Sequence, residues 1–433
     1  MKAWMTPWLL MAIPLLGAVL SLLIRASLQR MKTVALLTTV ASLLAVIGTS
    51  VGLSAPPTGL PLLCLLPLTA FLSLLGQPVH RNNSQAWAMS LVLLGLGLGI
   101  LTGQAPARDA LLVLLLSILS GLLYQHQPGP TPDTWRGLSS YGLGIVTTLL
   151  ALVLPEAGST IATVITCATL LPLLPLHSGF VATLTGLPGN LPAFLALLVP
   201  TIGFHTLLLL PALSITVLDT VAILALAGAV YGSLRALIQS RPLPRLAYAA
   251  LAFFCMLWWY IADTGTAPVQ ATVYLNAVSL ATSGLLLAWY AIRARYGDID
   301  LRALGGLAYP MPRFCTLLAL LALAALGMPP FGVFSGFLGM LLLPTFTPSG
   351  PFAVIMLVWL TASWYYTELV QRVVFGQSRL DVRHEDLRRT EFASLVLVLL
   401  LLLALGTAPS RFFQSNAPVP PASVAMKGAT WIR

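Results

Sequence analysis

Charge is what this sequence has least of. Only 22 of its 433 residues are Lys or Arg and 12 are Asp or Glu, 8% in all, against about 25% in a soluble globular chain. So few ionic side chains cannot cover a water-facing surface at this length, which excludes a soluble enzyme. Cysteine is scarce too. Cys64, Cys167, Cys255 and Cys315 lie in or beside apolar runs without metal-ligand spacing, and they read as small core residues. The phosphate-binding P-loop, the dinucleotide glycine fingerprint and the zinc HExxH motif are all missing. No cofactor and no metal site is expected.

Apolar length is what the chain does have: 58% of residues are hydrophobic and the mean hydropathy is +0.93. A bilayer core of about 30 Å takes roughly 20 apolar residues per helix. Such runs fall at about 3–25, 32–54, 58–77, 85–103, 108–125, 136–154, 158–175, 190–212, 214–238, 245–263, 271–293, 313–345, 351–375 and 392–407. The expected fold class is an all-α polytopic membrane protein of about 14 transmembrane helices. The first run follows Lys2 as a secretory leader would, but it lacks a small-x-small cleavage site and is read as a retained helix. The run 313–345 is too long for one span, and Gly327-Met328-Pro329-Pro330 within it removes backbone donors, which predicts a broken helix. Leu170 to Pro175 and Leu198 to Pro200 are read as similar interruptions.

The connections between runs alternate in charge. Odd-numbered connections hold 17 of the 22 Lys and Arg; even ones and both termini hold 5. Cations accumulate in cytoplasmic loops, so the odd connections are placed in the cytoplasm and both termini outside a prokaryotic-type inner membrane. This distribution also accounts for the net charge of +10. The partners expected are a lipid bilayer and other subunits, with no nucleic acid, because no basic run is interleaved with exposed aromatics.

Three stretches stand out from the leucine-rich background. One is Leu171-Pro172-Leu173-Leu174-Pro175-Leu176-His177. A second runs from Leu234-Arg235-Ala236-Leu237 to Arg245-Leu246-Ala247-Tyr248-Ala249. The third begins at Gly305-Gly306-Leu307-Ala308-Tyr309-Pro310, passes Met328-Pro329-Pro330-Phe331 and Ser335-Gly336-Phe337, and ends in Tyr365-Tyr366-Thr367-Glu368-Leu369-Val370-Gln371-Arg372. In order and spacing they resemble the antiporter-like membrane subunits of respiratory complex I, Mrp antiporters, membrane-bound hydrogenases and inorganic-carbon uptake complexes, over roughly residues 105–376. The resemblance implies two inverted five-helix repeats, each with a broken helix near the midplane, as in other repeat-built transporters. It divides the chain into N-terminal helices 1–104, an antiporter-like core 105–376, a charged cytoplasmic connection 377–391, and a final helix and tail 392–433.

The family moves protons along buried Lys, Glu and His, whose pKa values respond to neighbours and water. The matching positions here are Ile118, Leu170, Thr201, Phe253, Ala281 and Met340, none of which titrates. The expectation is therefore a degenerate member with reduced or lost proton translocation and a scaffold or coupling role in a multi-subunit energy-coupling complex. It is not catalytic alone. Two alternatives stay open: a proton-coupled subunit of an inorganic-carbon uptake or cation/proton antiport complex, and a purely structural scaffold. The residual candidates for an ion path are His205, a lone ionisable residue mid-helix, with His177, Thr201, Glu368 and Arg372. The last two, at i and i+4, also fit a helix-face ion pair. For partner docking the mixed-charge stretch offers Arg379, Arg383, Glu385, Asp386, Arg388 and Arg389, equally readable as a solvated interfacial helix.

Overall fold

The computed structural model describes residues 6–51, 60–80, 83–126, 132–298, 300–301, 303–343, 350–375 and 385–407. These residues form helices and connections without strands. In chain order the helices are α1 (Thr6–Leu23), α2 (Leu28–Val51), α3 (Leu60–Leu75), α4 (Ser84–Thr102), α5 (Ala107–His126), α6 (Pro132–Ala151), α7 (Glu156–Leu170) and α8 (Ser178–Gly186). They continue with α9 (Leu191–Leu208), α10 (Ile215–Ile238), α11 (Pro242–Thr264), α12 (Val269–Tyr296), α13 (Pro312–Leu326), α14 (Gly332–Leu341), α15 (Gly350–Val374) and α16 (Arg389–Thr407). Among the described residues, nine helices are long and apolar enough to cross a membrane.

Of the fourteen runs one ends early and one is split in two. The seventh ends at Leu170, five residues before its expected end, and a short helix, α8, follows the break; that segment is read from sequence only as a polar connection. The twelfth divides at 327–331, as Gly327-Met328-Pro329-Pro330 predicts. There Gly327 takes φ +82°, and its N–H and that of Met328 close the last turn of α13 onto Ala324 and Leu323, a glycine C-cap. The interruption expected at Leu198 to Pro200 does not occur: α9 runs through Pro200 unbroken. One proline removes a single helical hydrogen bond, which a helix packed on all sides tolerates.

The repeat is visible in the packing. The neighbour pairs α4 with α5, α5 with α6, α6 with α7, α6 with α8, α7 with α9, and α4 with α9 recur as α10 with α11, α11 with α12, α12 with α13, α12 with α14, α13 with α15, and α10 with α15. Taking each broken pair as one pass, each unit has five passes, so the second enters from the opposite face. Helices α4, α9, α11 and α12 are buried almost throughout, while α2, α5, α15 and α16 bury one face and present the other.

The odd-numbered connections share one end of the bundle and are stitched together there. Lys32 donates to the carbonyls of Leu75 and Gln77. Leu301 N–H bonds Ser240, and the Gly306, Leu307 and Ala308 amides bond Phe375, Val373 and Val374. The ion pairs between residues far apart in sequence, Arg245 with Glu368 and Arg295 with Glu391, lie at this positive end among the described residues.

Candidate functional site

The breaks are where carbonyls lose their helical partners, and neighbouring helices supply donors. Trp258 Nε1 on α11 donates to Leu171 O at 3.0 Å, and Cys255 Sγ approaches Pro172 O at 3.7 Å. In the second repeat Tyr260 Oη donates to Met340 O at 3.1 Å, at the far end of α14 and not at the break itself. At Gly203 on α9, an added Cβ would sit 2.5 Å from Leu171 N, so the close approach of α9 to the break depends on that glycine.

From the even-numbered end a cleft of about 310 Å³ enters the first repeat between α5, α6, α7 and α9. Arg108, Asp109 and Glu156 are part of its lining, with Ser159, Thr160, Thr163, Thr148, Thr166 and Thr206. Arg108 Nε meets Asp109 at 3.0 Å, which neutralises both. Hydroxyl contacts continue along α6. Thr166 Oγ1 lies 2.8 Å from Thr147 Oγ1 and 3.2 Å from Thr148 Oγ1. Thr169 donates to Thr166 O and occupies the space that a side chain on Gly144 would need, 2.7 Å from its Cβ position. A turn further on, Tyr141 Oη and Thr183 Oγ1 are 2.7 Å apart; beyond them Ser140 donates to Leu176 O and Ser178 to Arg136 O at 2.7 Å. Sequence reasoning passed over this row because single hydroxyls in an apolar run have no spacing of their own until α7 and α8 pack on α6. The signal that could have found it is the i, i+3, i+4 recurrence of Thr134, Gly137, Ser140, Tyr141, Gly144, Thr147 and Thr148.

The five path candidates do not form one path. Thr201 is fully buried on α9 and its Oγ1 has no partner. His205 is one turn further along, half-buried in the last turn of α9 towards the even-numbered end. His177 instead stands at the start of α8, its ring 5.3 Å from that of Tyr231 and 6.3 Å from that of Tyr248. Arg235 lies over Tyr248, 5.1 Å from its ring centre, so the first two sequence motifs meet in one aromatic and cationic cluster.

Glu368 and Arg372 form the expected i, i+4 pair, Oε1 to Nη2 at 2.6 Å, but the other oxygen of Glu368 accepts from Arg245 Nη1 at 3.0 Å. Arg245 also donates to Gln239 O at 2.8 and 3.1 Å. The group ties the turn between α10 and α11 to the end of α15, so both oxygens of Glu368 are engaged in a structural contact. Of the docking candidates, Arg379 and Arg383 lie outside the described residues. Glu385, Arg388 and Arg389 are exposed. Asp386 is turned inward: its carboxylate accepts the N–H groups of Arg313 at 2.9 Å and Phe314 at 3.2 Å, capping α13, and of Leu387 at 2.7 Å. Beside it Arg295 grips Glu391 through two nitrogens at 2.7 and 3.2 Å, a pair that the sequence does not single out.

Among the described residues only two charged side chains are buried, Arg245 at 3% and Glu391 at 4% exposure. Both lie at the positive end, each in an ion pair. The second repeat offers neutral groups: Asn276, Ser279 and Ser283 on α12 each bury an oxygen without a partner. Within the described residues no group of His, Cys, Asp and Glu is arranged to hold a metal ion.

Known proteins share this architecture. The chain is similar in structure to Thermus thermophilus respiratory complex I with bound NADH, with a TM-score of 0.77 at 20% identity over 92% of this chain and 96% of that one. It is similar to the Mrp complex of a Dietzia species (TM-score 0.76, 15% identity, covering 95% and 96%) and to the archaeal membrane-bound sulfane sulfur reductase (0.81, 16%, covering 92% and 76%). In sequence it matches NADH-quinone oxidoreductase subunit N of Shewanella woodyi, 26% identical over 45% of this chain and 43% of that protein. It also matches F(420)H(2) dehydrogenase subunit M of Methanosarcina mazei, 30% identical over 44% of this chain and 39% of that protein. The matched region thus spans less than half the length of these relatives. Residues 145–364, half of the chain, match the model of the transmembrane region shared by NADH:quinone oxidoreductases and Mrp antiporters. The chain is integral to the membrane and belongs to the NADH:quinone oxidoreductase/Mrp antiporter transmembrane family.

Proposed function

We propose that this chain is an antiporter-like subunit of a larger energy-coupling membrane complex, in which it acts as scaffold or coupling element and moves few or no protons across its own core. The observation that carries this reading is the placement of charge: the only buried charged residues described are Arg245 and Glu391, at one end and in ion pairs. A proton crossing the bilayer needs ionisable groups or held water along the way. Between the cavities at its two ends, α9 offers buried apolar side chains, the hydroxyls of Thr201 and Thr206, and the half-buried His205 in its last turn as its one ionisable group.

The named relatives and structural neighbours belong to multi-subunit complexes, which supports partners for this chain too. The membrane is the prokaryotic inner membrane, the positive end faces the cytoplasm and both termini lie outside, by the cation count. The core of the activity is assigned to residues 105–376, and docking to the exposed Glu385, Arg388 and Arg389 with Arg379 and Arg383.

A second reading, a proton-coupled subunit of an inorganic-carbon uptake or cation/proton antiport complex, is favoured by the hydroxyl-lined cleft and its continuation along α6. Purification of the tagged chain from its own membranes in mild detergent, with mass spectrometry of what accompanies it, tests the proposal. Oxidoreductase or antiporter subunits in fixed ratio are expected. Isolation as a lone monomer or homodimer overturns it.

A further inference from the structure

A second cavity, of about 360 Å³, opens at the positive end of α9. Gln77 after α3, His126 at the end of α5, the loop from Gly186 to Asn190, and Tyr290 and Arg293 on α12 form its wall. Its charge is one-sided. Arg293 lines it and no acidic residue does, and Arg293 makes none of the ion pairs among the described residues. The guanidinium is held 5.9 Å from the Tyr290 ring centre. The cleft at the other end, by contrast, carries Asp109 and Glu156 against one arginine.

An unpartnered donor stands at the same wall. Gln77 is only 2% exposed, and its Oε1 accepts from Trp87 Nε1 at 3.0 Å, which fixes the amide and leaves Nε2 without a partner. That nitrogen abuts Gly189, which takes φ +59° and has no room for a Cβ. An unsatisfied buried donor costs free energy that a bound acceptor would recover. The α9 helix begins here as well. Asn190 makes no side-chain cap, its amide being turned to Ser73 O at 3.1 Å, while Pro192 brings no N–H and the Ala193 N–H bonds Asn190 O, so the helix start contributes the field of its dipole and not a set of free amides.

The geometry points to a phosphate-binding site at this cavity, held by Arg293 and Gln77 beside the start of α9, and taking either the headgroup phosphate of an anionic phospholipid or a soluble phosphate. The full chain is reconstituted in phosphatidylcholine nanodiscs, with or without phosphatidylglycerol, and inorganic phosphate is titrated into the phosphatidylcholine discs. Native mass spectrometry counts bound molecules and thermal unfolding reports protection. Phosphatidylglycerol retained beyond phosphatidylcholine identifies the lipid as the source; protection by inorganic phosphate alone identifies a soluble ligand; either supports the site. Arg293→Ala lowers occupancy about fivefold, the effect of one cation near an anionic surface. Gln77→Leu lowers it as well, Arg293→Lys retains most of it, and Arg136→Ala, an exposed cation of the same face, leaves it unchanged. Equal behaviour of both disc types with no effect of phosphate, or an occupancy unaltered by Arg293→Ala, overturns the proposal.

Discussion

Replacing Glu391 with alanine should cost this protein more than any other single change at its positive end. Glu391 and Arg295 have side chains only 5% and 10% exposed and meet at 2.7 Å, so the alanine leaves a guanidinium that is largely shielded from water without its counter-charge. Breaking such a pair costs about 3–5 kcal/mol. The lower end applies, because Arg295 keeps the carbonyls of Ala291, Glu385 and Asp386 at 2.7 to 3.1 Å. Glu391 Oε2 also accepts the Arg388 N–H at 2.9 Å, capping α16, so the loss adds a frayed first turn. At about 2 °C per kcal/mol for a large chain, the melting midpoint in detergent should fall by roughly 6 °C. The double variant Arg295→Met with Glu391→Leu should recover most of that loss, because it removes both charges together. A midpoint within about 1 °C of the parent for Glu391→Ala, or a double variant worse than the single, would refute the reasoning.

Further predictions concern the same network and the first repeat. Glu368→Ala removes the shared carboxylate from Arg245 and Arg372 and should destabilise by about 2 kcal/mol, since Arg245 retains Gln239 O; thermal unfolding with limited proteolysis near 375–385 checks it. Tyr141→Phe leaves Thr183 without its hydroxyl partner and should cost about 1 kcal/mol, measured by denaturant titration in mild detergent. Thr201→Val removes a buried hydroxyl that has no partner, so stability should hold within about 1 kcal/mol or rise. His205→Ala should leave the transport rate of the assembled complex unchanged when normalised to assembly; a lost rate with intact assembly would favour the proton-coupled reading.

The fold was readable from the sequence where one local feature decides it. Gly327-Met328-Pro329-Pro330 breaks the twelfth run because proline has no N–H and glycine accepts φ +82°, and the structure divides there. Pro200 carried the same signal and gave the wrong expectation: α9 is enclosed by α3, α4, α7, α8 and α12, and tertiary packing overrode the local cost. The short helix α8 was not readable at all, since nine residues leave no span-length pattern and a polar start resembles a loop. Partners distant in sequence escaped for a different reason. Glu368 and Arg372 are four residues apart and were paired correctly, but Arg245 lies 123 residues from Glu368, and no spacing rule reaches that far. The mixed charges of 378–391 look alike in sequence, and only the fold separates Asp386 and Glu391, turned inward, from exposed Glu385, Arg388 and Arg389.

The most direct test of a core that carries few protons is flux itself. The purified full chain is reconstituted in liposomes holding a pH-sensitive dye, a potassium diffusion potential with valinomycin is imposed, and acidification is compared with empty liposomes and with liposomes holding an authentic proton channel. Acidification no faster than in the empty liposomes is the expected result, unaltered by His205→Ala. Potential-driven acidification well above that background, abolished by His205→Ala or Tyr141→Phe in a protein that still folds, would contradict it.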